Sequence, residues 1–147
     1  GEGSQKLKVA GRAREHGLEN IVLHPFIPLA DYPDLVARAD VGLVTLKKSM
    51  GTPVVPSKIL GYMAAGKPVI GSLNPQSEAH DIIRESGCGR SEEIAGPREM
   101  AQAILELYRD EALRTSMGRR GREYAERNFS LARSLEAYEK LLGRIRA

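Results

Sequence analysis

The segment Pro56-Ser57-Lys58-Ile59-Leu60-Gly61-Tyr62-Met63-Ala64-Ala65-Gly66-Lys67-Pro68-Val69-Ile70-Gly71-Ser72 reads as a helix, its stop and a strand. Pro56 or Ser57 can open the helix. Serine is a favoured N-cap, and proline tolerates the first turn because the N–H it lacks would be unpaired there. Ile59, Leu60, Met63 and Ala64 share one helical face. Gly66 supplies a left-handed stop and Pro68 forbids continuation. Val69 and Ile70 then begin a short buried strand. The helix start carries unpaired N–H groups and partial positive charge, to which Lys58 adds a full one, so it can hold an anion.

The chain around this segment has 147 residues, enough for one compact domain with a core. Its 41% hydrophobic and 28% charged residues are ordinary for a globular protein. No apolar run is long enough to span a membrane. The net charge of +3 suits a small anionic ligand or an acidic membrane surface. With no Trp, five Tyr and two Phe, stacking platforms for nucleic acid are poorly supplied, and no nucleic-acid partner is expected. The lone Cys88 excludes an intrachain disulfide and a thiolate-rich metal site, and points to a reducing, cytoplasmic setting. His16, His24 and His80 stand at no metal-ligand spacing, so no metal is expected.

Upstream, Gly1-Glu2-Gly3-Ser4 is a glycine-rich opening to a helix over 5–16, with Leu7, Val9, Ala10 and Ala13 as its apolar positions and Gly17 as its stop. Glycines of this kind usually follow a strand, and a strand upstream of Gly1 is expected. Ile21-Val22-Leu23-His24 reads as a strand ending at Pro25, with Phe26-Ile27-Pro28 as the loop beyond it. A short helix covers 31–39. Val41 to Leu46 is a nearly all-apolar strand, which suggests burial on both faces. The turn-rich loop 47–55 contains Lys47, Lys48, Gly51 and Pro53. Downstream, a helix over 77–85 has Ser77 as its N-cap and Ala79, Ile82 and Ile83 inward. A short edge strand follows near 89–92, then helices begin at Pro97, Glu111 and Ser130. The second is lightly broken by Gly118 and Gly121. The third, over 130–146, carries a stripe of Leu131, Leu135, Tyr138, Leu141 and Leu142.

Short strands alternating with helices imply an α/β fold with a parallel sheet, helices on both faces and a helical C-terminal tail. Such sheets bind ligands beyond the strands' carboxyl ends.

Several strings together resemble the carboxyl-terminal half of a group 1, retaining, GT-B-fold glycosyltransferase. They are Gly1-x-Gly3; Asn20 through Pro28; Ala39-Asp40-Val41-Gly42-Leu43; Pro56 through Ile70; Ser77-Glu78; Gly87-Cys88-Gly89; and Met117-Gly118-x-x-Gly121-Arg122. The resemblance implies a Rossmann-like, nucleotide-sugar donor-binding domain over 1–147, with an acceptor domain elsewhere, and no cofactor. Gly3 resembles the glycine that lets backbone approach the donor phosphate. Phe26, Ile27 and Pro28 occupy the loop that meets the nucleobase. Gly51, Pro56, Ser57 and Lys58 belong to the loop and helix start that hold diphosphate and sugar. Many members carry Glu-x7-Glu here, the second Glu binding ribose; this chain has Pro53 and Gly61 in those places. Glu78 is the nearest acidic residue on another rim loop.

Blander readings stand beside these. Lys58 is either a diphosphate contact or a solvated lysine. Glu78 is either a ligand contact or a first-turn acid favoured by the helix dipole. His16 and His80 read as surface residues, and Cys88 as a small buried residue at a tight turn. The cationic tail around Arg119, Arg120, Arg122 and Arg127 reads as a solvated face, or as a surface for another domain or an anionic membrane.

The expected function is transfer of a sugar from a nucleoside-diphosphate sugar to a glycan, lipid or small-molecule hydroxyl, in the cytoplasm or at the membrane's inner face. This fragment alone is expected to be inactive, and no catalytic residue is assigned. Three rivals are open: a non-catalytic nucleotide-binding or assembly module, a GT-B nucleotide-sugar epimerase, and a receiver-like domain. The last lacks an aspartate after Leu46, where Lys47 and Lys48 follow.

Overall fold

The structure is a computed structural model that describes residues 2–46 and 55–145. It divides into two compact units, Gly1–Leu35 and Val36–Ala147.

The first unit carries helix α1 (Lys6–Glu15), closed at Gly17 with φ +61°. Its expected apolar face is not a core face: α1 buries none of its residues, and Leu7 is 85% exposed. The strand expected at 21–24 does not form, and Ile21, Val22 and Leu23 are exposed. β-rich composition makes a strand only beside a partner that accepts its ladder bonds. Among the described residues the sheet contains three other strands and not this segment. Helix α2 (Tyr32–Ala37) spans the boundary between units and buries Val36.

The second unit is built on a parallel sheet of β1 (Gly42–Thr45), β2 (Val69–Ser72) and β3 (Gly89–Arg90), in that spatial order. Its helices are α3 (Ser57–Ala64), α4 (Ala79–Ser86), α5 (Pro97–Arg109), α6 (Glu111–Asn128) and α7 (Leu131–Ile145). Alternation along the strands sorts the core into two layers. Val44 and Val69 pack with Ile59 and Met63 of α3, Ala79 and Ile83 of α4, and Ala125 of α6. On the opposite face Ile70 packs with Ala103 and Leu107 of α5 and Met117 of α6. Helices therefore cover both faces, as expected. Burying each of Ile59, Met63 and Ile83 contributes roughly 1.5–3 kcal/mol.

Three expectations need correction. Strand β1 is not buried on both faces: Val44 is buried but Leu43 is 45% exposed, because α5 covers that face fully only at β2. Helix α6 runs unbroken through Gly118 and Gly121, and both are buried. The α7 stripe does not enter the core; Leu131, Leu135, Tyr138, Leu141 and Leu142 are all more than half exposed.

The stop after α3 is as the sequence implies. Gly66 has φ +67°. The Lys67 N–H donates to the Tyr62 carbonyl (2.9 Å) and the Gly66 N–H to that of Met63 (2.9 Å), the paired bonds of a Schellman cap.

Candidate functional site

Thr45 and Ser72 are register partners at the ends of β1 and β2, and the Leu46 N–H donates to the Ser72 carbonyl (2.9 Å). The two strands therefore release their chains side by side at one sheet edge. Helix α3 follows the first and α4 the second.

At α3 the cap residue is Pro56, in an extended conformation with φ −62° and ψ 122°. The Ile59 N–H is bonded to the Pro56 carbonyl (3.0 Å), while the amides of Ser57 and Lys58 precede it. Ser57 is thus the first helical residue and not the N-cap, and no side chain caps this end. Proline holds the cap position because its fixed φ suits an extended entry. No acidic residue occupies the first turn, and Lys58 is exposed with no ion pair among the described residues. The positive end is therefore not neutralised there by a carboxylate. One turn on, Gly61 is half-buried, and a Cβ built on it would meet no atom within 4 Å. A longer side chain has room to leave from this position.

The second rim runs from Leu73 to Asp81. Its backbone is folded inward and bonded: Asn74 and Ser77 are buried, as is Ser91 just after β3. The Gln76 N–H donates to Asn74 Oδ1 (3.0 Å), the Ser77 N–H to the Asn74 carbonyl (2.9 Å), and the Ala79 N–H to Ser77 Oγ (3.3 Å). Ser77 is therefore not the N-cap expected: Glu78 holds that position, and Ser77 Oγ supports the start of α4 from one residue upstream. His80 is not the surface residue expected. Its Nε2 lies 3.1 Å from the Asn74 carbonyl and its Nδ1 2.9 Å from Ser91 Oγ. A carbonyl only accepts, so Nε2 donates to Asn74, while Nδ1 shares a hydrogen bond with the Ser91 hydroxyl.

These residues wall a cavity of about 440 Å³, lined by Ser77, Glu78, His80, Asp81, Arg84 and Glu92 among others. Arg84 is held by Glu92 and Asp81, which raise its pKa above the ordinary guanidinium value. Glu78 is exposed at the rim. Carboxylates and hydroxyls of this kind accept from, or donate to, ligand hydroxyl groups.

In the first unit, the carboxylate of Glu2 joins the two expected ligand loops. It is bonded by Lys6 Nζ (2.7 Å), and the backbone N–H of Phe26 also reaches it; chiefly through Lys6, its pKa is lowered. A Cβ on Gly3 would meet nothing within 4 Å, Ile27 is half-buried, and Phe26 and Pro28 are exposed. Gly51, like Lys47, Lys48 and Pro53, lies outside the described residues.

Pro56, Ser57 and Lys58 thus start the helix that follows β1 and Glu78 caps the helix that follows the neighbouring strand β2, while Gly3 and Phe26–Pro28 belong to the other unit. Two residues escaped the sequence. His80 gave no signal, since Ser91 is a contact 11 positions away. Glu2, between two glycines, was legible as a loop residue but not as a tether. Among the described residues, no group of three or more His, Cys, Asp and Glu side chains could hold a metal ion. No helix among them is long and apolar enough to cross a membrane.

The family described as "Glycosyl transferases group 1" matches residues 1–110. Two curated relatives carry the same kind of name. A probable glycosyltransferase, WbjE, of Pseudomonas aeruginosa is 35% identical over 112 residues, 76% of this chain and 28% of the relative. An uncharacterized glycosyltransferase, MJ1069, of Methanocaldococcus jannaschii is 23% identical over 146 residues, 99% of this chain and 35% of the relative. The chain therefore spans about a third of the length of these relatives or less. No solved structure matches.

Proposed function

This chain belongs to the group 1 glycosyl transferases, and we propose that it forms the donor-binding part of such an enzyme. The whole protein would move a sugar from a nucleoside-diphosphate sugar to a hydroxyl acceptor on a glycan, lipid or small molecule. The observation that carries this reading is the start of α3. The Ser57 and Lys58 amides and an ammonium with no ion pair among the described residues stand at a strand-end edge with no first-turn acid. Such a group of donors stabilises the charge that gathers on a departing diphosphate.

The cavity at the start of α4 is suited to hydroxyl groups. Glu78 and Asp81 line it, and Arg84 is already engaged by carboxylates. We assign the donor sugar's hydroxyls to this wall, where Glu78 and Asp81 stand. Gly3, for donor phosphate, and Phe26, Ile27 and Pro28, for the base, are proposed on the family resemblance alone. Gly51 is proposed on the same ground. Transfer is proposed to retain anomeric configuration and to need neither metal nor cofactor, so activity of the whole enzyme should survive a chelator.

Calorimetry of the whole protein with UDP, GDP and their sugars tests this reading. Saturable binding below millimolar concentration supports it; absence of binding to every nucleotide rejects it. A second reading, a non-catalytic nucleotide-binding or assembly module, is favoured by Gly61. It predicts nucleotide binding without turnover of any nucleotide sugar. Product analysis separates transfer from epimerisation.

A further inference from the structure

We infer that His80 is a positioning residue, which clamps the turn after β2 to Ser91 and so fixes the cavity wall that carries Glu78. The clamp rests on geometry. Asn74 presents its carbonyl to two donors, the Ser77 N–H and His80 Nε2, and its side-chain oxygen to the Gln76 N–H. Ser91 begins the turn after β3, and the Ile94 N–H donates to its carbonyl (3.1 Å). His80, the second residue of the amphipathic α4, has one ring nitrogen on each of these two turns.

A second link spans the same gap, between Arg84 and Glu92, but both side chains are more than half exposed. Salt and water screen that pair. The imidazole instead serves Asn74 and Ser91, both more than nine-tenths buried, where a lost partner is not replaced by bulk solvent. The clamp is therefore the stiffer of the two. Gln76, Ser77 and Glu78 lie between its fixed point at Asn74 and α4, so their placement follows from it. That this wall meets a nucleotide sugar rests on the donor-site reading above; that His80 holds the wall does not.

The test uses His80→Ala, His80→Gln and His80→Asn in the whole protein. Amide hydrogen exchange reads the clamp without any ligand. In His80→Ala, exchange at Gln76 and Ser77 should rise about tenfold or more, with Val69 and Ile70 unchanged. Gln places an N–H donor near the Nε2 position and should hold exchange within about threefold of the native value; Asn, which reaches only the Nδ1 position, should not. For ligands, His80→Ala should weaken a nucleotide sugar about tenfold while moving the bare nucleoside diphosphate less than about twofold.

Unchanged exchange in His80→Ala overturns the clamp, as does equal rescue by Gln and Asn. Equal weakening of both ligands overturns the positioning role and leaves a merely structural one. If His80→Ala does not fold, the Gln-against-Asn comparison decides. If the native protein binds no nucleotide, the donor reading fails and the exchange result still judges the clamp.

Discussion

Gly118 of α6 lies so close to Gly66 that a Cβ on Gly118 would sit 2.0 Å from the Gly66 carbonyl oxygen. The second obstacle is the Gly66 carbonyl carbon at 2.9 Å, so nothing flexible can yield. The long helix α6 is thereby seated on the stop of α3, the helix whose other end is the proposed anion site. Gly118→Ala must push α6 away from the core and should destabilise the protein by about 3 kcal/mol. A urea unfolding midpoint shifted by less than the equivalent of about 0.5 kcal/mol would contradict this packing.

Gly61 makes the opposite case on the same unit. It sits inside a helix, a Cβ added to it would meet no atom within 4 Å, and glycine there is a backbone liability. Gly61→Ala should stabilise by about 0.5–1 kcal/mol. Gly61→Glu should fold as well as the native protein and bind nucleoside diphosphates about tenfold more tightly, through added hydrogen bonds to ribose. Calorimetry reads the second effect; no gain in affinity would dissociate Gly61 from the ligand.

The thiol of Cys88 is fully buried, and burial raises its pKa above the ordinary thiol value. The folded state therefore holds the thiol proton more tightly than the unfolded state. The sign follows: this contribution to stability is complete below the unfolded thiol pKa and is lost as pH rises toward the folded one. Chemical denaturation at several alkaline pH values should show a decline that Cys88→Ala lessens. Alkylation of the native thiol should track global unfolding, and fast alkylation of folded protein would contradict its burial.

Much of this arrangement was legible in the chain. The helix, glycine stop and strand of 56–72 follow from apolar spacing, Gly66 and Pro68, and all are local signals. The starts at Pro97 and near Glu111 are local in the same way. What was hidden depended on distant partners. Residues 21–24 have strand composition, but a strand exists only with a neighbour, and none of the described strands pairs with them. The α7 stripe has core periodicity, yet periodicity cannot tell which face meets a partner. His80 looked superficial because Asn74 and Ser91 flank it only after α4 and β3 pack together. Ser57 lost the cap position to Pro56 by a single residue, within the usual uncertainty of helix ends.

The central claim is that the start of α3 holds a nucleoside diphosphate, with Lys58 as its fixed charge. Titration of the whole protein with UDP and GDP, native and Lys58→Glu, tests it most directly. Saturable binding of at least one of them by the native protein is the predicted result. Lys58→Glu should weaken that binding about tenfold or more, most at low ionic strength, because the reversed charge faces the phosphates. Equal affinity of the native protein and Lys58→Glu, or no binding of either nucleotide at millimolar concentration, would contradict the claim.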